Sequence, residues 1–151
     1  MNRPTGRIAG IDYGTVRIGI ATADLEIGIA SPYETYTRRN AELDARYFQE
    51  LANSERLVRF VVGLPVHLDG HESQKSHEAR AFGKWLEELT AVPVDYFDER
   101  FTTSEAEGIL GQANFTKKRR KARLDQLAAQ IMLTAYLESG ARSQIDPQGL
   151  E

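Results

Sequence analysis

The apolar positions of this chain first alternate and later recur at helical spacing, and that change of rhythm separates strands from helices. Arg7 to Tyr13 alternates weakly and suits a strand. Arg17 to Ala23 runs back as a second strand, with Gly19 and Ala21 on one face and Ile18 and Ile20 on the other. Gly14 and Thr15 turn the chain between them, and a turn this short makes the pair antiparallel. After a brief turn at Asp24-Leu25-Glu26, Ile27 to Thr37 forms a third strand, irregular near Pro32, so the chain opens with a meander. Asn40 is placed to cap a helix running to about Asn53, in which Leu43, Tyr47, Phe48 and Leu51 share a face. Leu57 to Leu64 is apolar almost throughout, as a central strand covered on both faces would be. The loop PVHLDGH follows, then a helix from Glu72 to Leu89 with Ala79, Phe82, Leu86 and Leu89 on one stripe. Val92 to Phe97 is a short strand parallel to its predecessor.

Thr102-Thr103-Ser104-Glu105 has the spacing of a capping box and predicts a short helix ending near Gly111, followed by a polar loop from Gln112 to Thr116. Leu124 to Glu138 predicts an amphipathic helix with Leu124, Leu127, Ala128, Ile131 and Ala135 toward the core, stopped by Gly140. The order βββαβαβ followed by two helices specifies an α/β fold: a five-stranded mixed sheet, antiparallel then parallel, with helices on both faces. At 151 residues one domain is expected, over residues 1–138, with 139–151 a flexible tail.

Composition narrows the chemistry. There is no cysteine, which removes disulfides, thiolate catalysis and Cys-ligated zinc. The N-terminus has no apolar h-region, and the longest apolar run, Leu57 to Val66, is broken by Arg59 and too short to span a bilayer, so no membrane association and a cytoplasmic location are expected. Net charge is −3, yet KKRRKAR (Lys117 to Arg123) concentrates six basic residues in seven, and such a patch binds phosphates when the average charge does not.

The acids supply the candidate chemistry. Asp12 ends an apolar strand, where an unpaired carboxylate is costly, and Gly10 on the same face leaves space beside it. Ligands collect at the carboxyl ends of parallel strands, which also brings in Asp69, Asp98 and Glu99. Strand parity does not choose between Asp98 and Glu99. Asp125 sits near the start of the last helix at the margin of its apolar face, beside Ala128, Ala129 and Met132. An acidic cluster drawn from strand one, the end of strand five and the last helix suits hard divalent cations, and two Mg²⁺ about 3.5 to 4 Å apart can promote phosphodiester cleavage. His67 and His71 lie in a Gly/Pro-bounded loop and do not suggest zinc, and Phe82 and Trp85 read as core-facing or partly exposed helix residues.

The segments IDYGTVRIGIA, VVGLPVHLDG, DERFTT and RLDQLAAQIML, in this order, resemble the YqgF (RuvX) family of RNase H-like nucleases over roughly residues 6 to 138. The resemblance implies an RNase H-like fold, a divalent-metal site using Mg²⁺ or Mn²⁺, and action on the 5′ end of pre-16S rRNA or on Holliday junctions. It also implies that the catalytic and metal-binding acids are Asp12, Glu99 and Asp125, and it is what selects Glu99 over Asp98. Lys117, Lys118, Arg119, Arg120, Lys121 and Arg123, immediately before Asp125, would hold the substrate backbone, as would Arg17 and, better supported by the resemblance, Arg100. Monomer and homodimer both remain open. Two other classes compete: a non-catalytic RNA-binding module, and an ATP-binding domain using Asp-x-Gly-Thr as in the actin and sugar-kinase superfamily.

Overall fold

The computed structural model describes residues 5–66, 70–102 and 117–140. Strands β1 (Arg7–Asp12), β2 (Arg17–Asp24) and β3 (Ile29–Thr37) form the meander, α1 is Ala41–Ser54, β4 is Leu57–Leu64, α2 is Gln74–Thr90 and β5 is Val94–Asp98. A single 3-10 turn, Glu99–Phe101, follows β5, and α3 is Lys117–Glu138. The strands lie in the order β3-β2-β1-β4-β5, with β1 antiparallel to β2 and parallel to β4, and β4 parallel to β5. This is the mixed α/β sheet expected from the sequence. No helix among the described residues is long and apolar enough to cross a membrane.

Side-chain alternation sends the two halves of each strand to different helices. Ala9, Ile11, Ile18, Ile20, Phe60 and Val62 pack with Phe48, Phe82 and Leu86 from α1 and α2. Ile8, Ala21, Ala23 and Val61 pack with Ala129, Met132, Leu133 and Tyr136 of α3 on the other face. Where β3 meets α1, the buried Asp44 accepts hydrogen bonds from the Tyr36 hydroxyl at 2.5 Å, the Arg39 amide at 2.9 Å and Arg38 Nε at 3.2 Å. Burial would raise the Asp44 pKa, but these donors together hold it below the usual carboxylate value.

Local chemistry moves several boundaries. Asn40 caps α1 as expected, accepting from the Leu43 amide. It is Ser73 that caps α2, accepting from the Ser76 amide, so this helix begins at Gln74 rather than Glu72. β3 begins at Ile29, because the turn continues through Gly28 at φ 77°, a conformation that favours glycine. β5 is displaced by one or two residues from Val92–Phe97 to Val94–Asp98.

The last helix departs most from expectation. It starts at Lys117, so the basic run is helical and not a separate segment ahead of it. Its buried residues are Ala129, Met132, Leu133, Tyr136 and Leu137, whereas Leu124 is 41% exposed and Leu127, Ala128, Ile131 and Ala135 are only half-buried. Asp125 is one turn before Ala129 and thus lies on the buried stripe itself, not at its margin. The expected short helix after Thr102, the loop Gln112 to Thr116 and the tail beyond Gly140 lie outside the described residues.

Candidate active site

Asp12 ends the central strand β1 with a glycine on either side. Across the antiparallel pair it faces Gly19 of β2. On the parallel side, Ile11 pairs with Val62, and Gly63 is the next residue of β4. Each glycine is overlaid by another acid. A Cβ at Gly19 would collide with the backbone carbonyl of Asp125, and one at Gly63 would collide with the Glu99 carboxylate. The missing side chains therefore let α3 and the turn after β5 bring their acids beside Asp12. Gly10 has a different role from the one expected. Its space is filled by Leu133, whose Cβ would lie 3.0 Å from an added methyl, so it admits the helix and leaves no gap beside Asp12.

These three acids line one cleft of about 410 Å³ at the carboxyl ends of β1 and β4, together with Tyr13, Arg17, Lys75 and Glu78. Burial, with the Glu99 and Asp125 charges added, pushes the Asp12 carboxyl up to about 7, and Lys75 only partly offsets this. Glu99 is also raised, by burial first and then by Asp98, again with Lys75 opposing. Asp125 accepts a hydrogen bond from Arg17 Nε at 2.8 Å.

Asp98 faces other partners. It accepts from the Arg100 amide at 2.9 Å and from the Arg100 side chain at 2.9 and 2.6 Å, capping the turn that carries Glu99. That Arg100 pairing holds the Asp98 carboxyl below its usual range. Strand parity does not distinguish Asp98 from Glu99, but the turn gives them different surroundings: Glu99 lines the cleft and Asp98 pairs with Arg100.

The donor set is hard oxygen, partly buried and short of positive charge, which fits a divalent cation such as Mg²⁺ or Mn²⁺. Asp12, Glu99 and Asp125 surround the cleft without yet closing on a point, and no group of three His, Asp or Glu among the described residues has the spacing of a finished ion cage.

The expected nucleic-acid contacts fare differently. Arg17 is engaged with Asp125 and Arg100 with Asp98. Arg123 is exposed; Lys117, Lys118, Arg119, Arg120 and Lys121 occupy the first turns of α3, and their side chains lie outside the described residues, as do His67 and Asp69. Lys75, exposed on the first turn of α2, escaped the sequence reading because it belongs to no basic run; its only signal was its place after the loop that leaves the carboxyl end of β4. Phe82 is buried and Trp85 packs partly buried against it, as expected for core-facing residues.

A sequence profile of the RuvX family, described as Holliday junction resolvase, matches residues 6–139. The chain belongs to the RuvX family. A protein of Rhodopirellula baltica is 50% identical over 135 residues, covering 89% of this chain and 78% of that one. One of Rhodobacter capsulatus is 38% identical over 133 residues, covering 88% and 84% respectively. Both carry the provisional name pre-16S rRNA nuclease. Among solved structures, Thermus thermophilus RuvC in complex with a Holliday junction substrate matches with a TM-score of 0.53 at 16% identity, over 91% of this chain and 96% of that one. The yeast mitochondrial Holliday junction resolvase Ydc2 matches with a TM-score of 0.55 at 11% identity, over 99% and 85%. At such identities the likeness establishes the fold, which is the RNase H-like one expected for a RuvX member.

Proposed function

We propose that the chain is a divalent-metal-dependent nuclease that cleaves phosphodiester bonds of structured nucleic acid, with 5′ processing of pre-16S rRNA as its task in the cytoplasm. The observation that carries this is the convergence of Asp12, Glu99 and Asp125 from three separate elements on one cleft, where burial first and then the Glu99 and Asp125 charges raise Asp12 to about 7. The names of the relatives direct it to pre-rRNA. Cleavage of Holliday junctions is the second reading, favoured by the description of the family.

Asp12, Glu99 and Asp125 would hold Mg²⁺ or Mn²⁺. The chemistry that one or two such cations supply when bound is activation of a water and relief of the charge that builds on a phosphodiester under in-line attack. The chain's own residues do the rest. Lys75 at the cleft would meet phosphate, as would Arg100 if released from Asp98 and the basic residues of the first turns of α3. Binding therefore weakens steeply as salt is added.

The test is incubation of purified protein with labelled pre-16S leader RNA and with junction DNA, in Mn²⁺ or EDTA. Cleavage in Mn²⁺ and none in EDTA is expected, with Asp12→Asn folded and inactive. An Asp12→Asn protein with full metal-dependent activity would refute the assignment, and binding without cleavage on either substrate would favour the non-catalytic class.

A further inference from the structure

We infer that Arg17 is a positioning residue for Asp125, acting with Gly19 to fix that carboxylate at the cleft, and not a contact to the nucleic-acid backbone. The inference rests on the nuclease reading and deepens it.

Arg17 and Gly19 are two apart on β2, so they present to the same face of the sheet, the one covered by α3. Both meet Asp125. Gly19 receives its backbone carbonyl, and Arg17 Nε donates to its Oδ2 at 2.8 Å, joining positions 108 residues apart in the chain. The helix residue is thus held by main chain and side chain at once, which sets how α3 lies on the sheet and which way the carboxylate turns.

The ion pair is not a surface decoration. Its side chains are 28% and 25% exposed, inside the cleft wall, where a hydrogen-bonded pair is worth more than one in open water. A carboxylate has two oxygens, and the pair uses one of them. This is the usual arrangement by which a neighbouring donor orients a metal-binding carboxylate, and loss of such a donor typically weakens metal affinity about 10- to 100-fold. Were Arg17 to swing out to a phosphate, it would leave a third partly buried carboxylate unneutralised beside Asp12 and Glu99, a costly exchange.

The sign of one measurement separates the roles. Removing a positive charge from a cation site by itself tightens cation binding, whereas losing the positioning contact loosens it. Full-length protein stripped with EDTA is titrated with Mn²⁺, followed by calorimetry or by the spectrum of free Mn²⁺, after thermal unfolding has shown each variant to be folded. Arg17→Gln should bind Mn²⁺ about tenfold or more weakly, with kcat reduced and KM for nucleic acid nearly unchanged, and Arg17→Lys should fall between it and wild type. Unchanged or tighter Mn²⁺ binding by Arg17→Gln would overturn the inference, as would a rise in KM alone. If Arg17→Gln does not fold, Arg17→Lys decides: weaker Mn²⁺ binding supports the role and unchanged binding refutes it. Failure of the nuclease reading looks different, because wild type and Asp12→Asn would then take up Mn²⁺ equally or not at all.

Discussion

Beneath α1 and α2 the sheet is met by large side chains, with Phe48, Phe60, Phe82 and Leu86 buried and Tyr36, Tyr47 and Trp85 stacked or edge-on around them. Beneath α3 the strands offer Gly10, Gly19, Gly63, Ala21 and Ala23, and the helix comes close enough for its backbone to rest on β2. The first face is built for burial. The second gives up side-chain volume so that acids from a distant helix and a distant turn can stand beside Asp12, and it bears their mutual repulsion as a result. Both sides of the sheet thus carry buried apolar core, but the three acids gather on the second alone.

The largest effect is expected on the apolar face. Phe48→Ala should destabilise the protein by about 3 to 5 kcal/mol in chemical denaturation, through lost burial and the cavity left behind, while the affinity of the folded protein for Mn²⁺ stays unchanged.

On the other face the sign reverses. The Asp12 carboxyl holds its proton more tightly in the folded protein, at about 7, than in the unfolded chain, at about 3.8. Well below 3.8 both states are protonated and Asp12 adds nothing to the difference. As pH rises from there to about 7 the folded state loses ground, by up to about 4 kcal/mol, and above 7 the cost is complete. Metal-free Asp12→Asn should therefore be more stable than wild type at pH 8, with the gain vanishing well below pH 3.8; denaturant midpoints across that range measure it. An Asn variant less stable than wild type at pH 8 would break the contrast between the faces.

The two glycines beside Asp12 sharpen it further. Gly19→Ala would push against helix backbone, which has no room to yield, and should cost about 2 kcal/mol together with much of the Mn²⁺ affinity. Gly63→Ala meets only the far end of the Glu99 side chain, which can rotate away. It should change stability by less than about 1 kcal/mol and still lower the cleavage rate, because Glu99 is displaced.

Much of this was legible in the sequence. β4 occupies Leu57–Leu64 as its continuous apolar run indicated, Asn40 caps α1, and the Asp12 strand end drew attention because a buried carboxylate is expensive. α3 was harder to read. Its N-terminal turns carry Ala122 as their one apolar residue, too few to show periodicity, although Lys, Arg and Ala are good helix formers and favour a helix extending back to Lys117. Periodicity does not pick out its buried face, because Leu124, Leu127, Ile131, Leu133 and Leu137 place apolar residues around most of the helix. The orientation is set by where the sheet lacks side chains, information carried by Gly10 and Gly19 on other strands. The different surroundings of Glu99 and Asp98 likewise depend on one 3-10 turn, which no periodicity encodes.

Crystals grown or soaked with Mn²⁺ at pH 8 decide whether Asp12, Glu99 and Asp125 together hold a divalent cation. Anomalous density in contact with the carboxylates of all three acids is the predicted result. A well-occupied ion bound elsewhere, with these three side chains left apart in the same crystal, would contradict it.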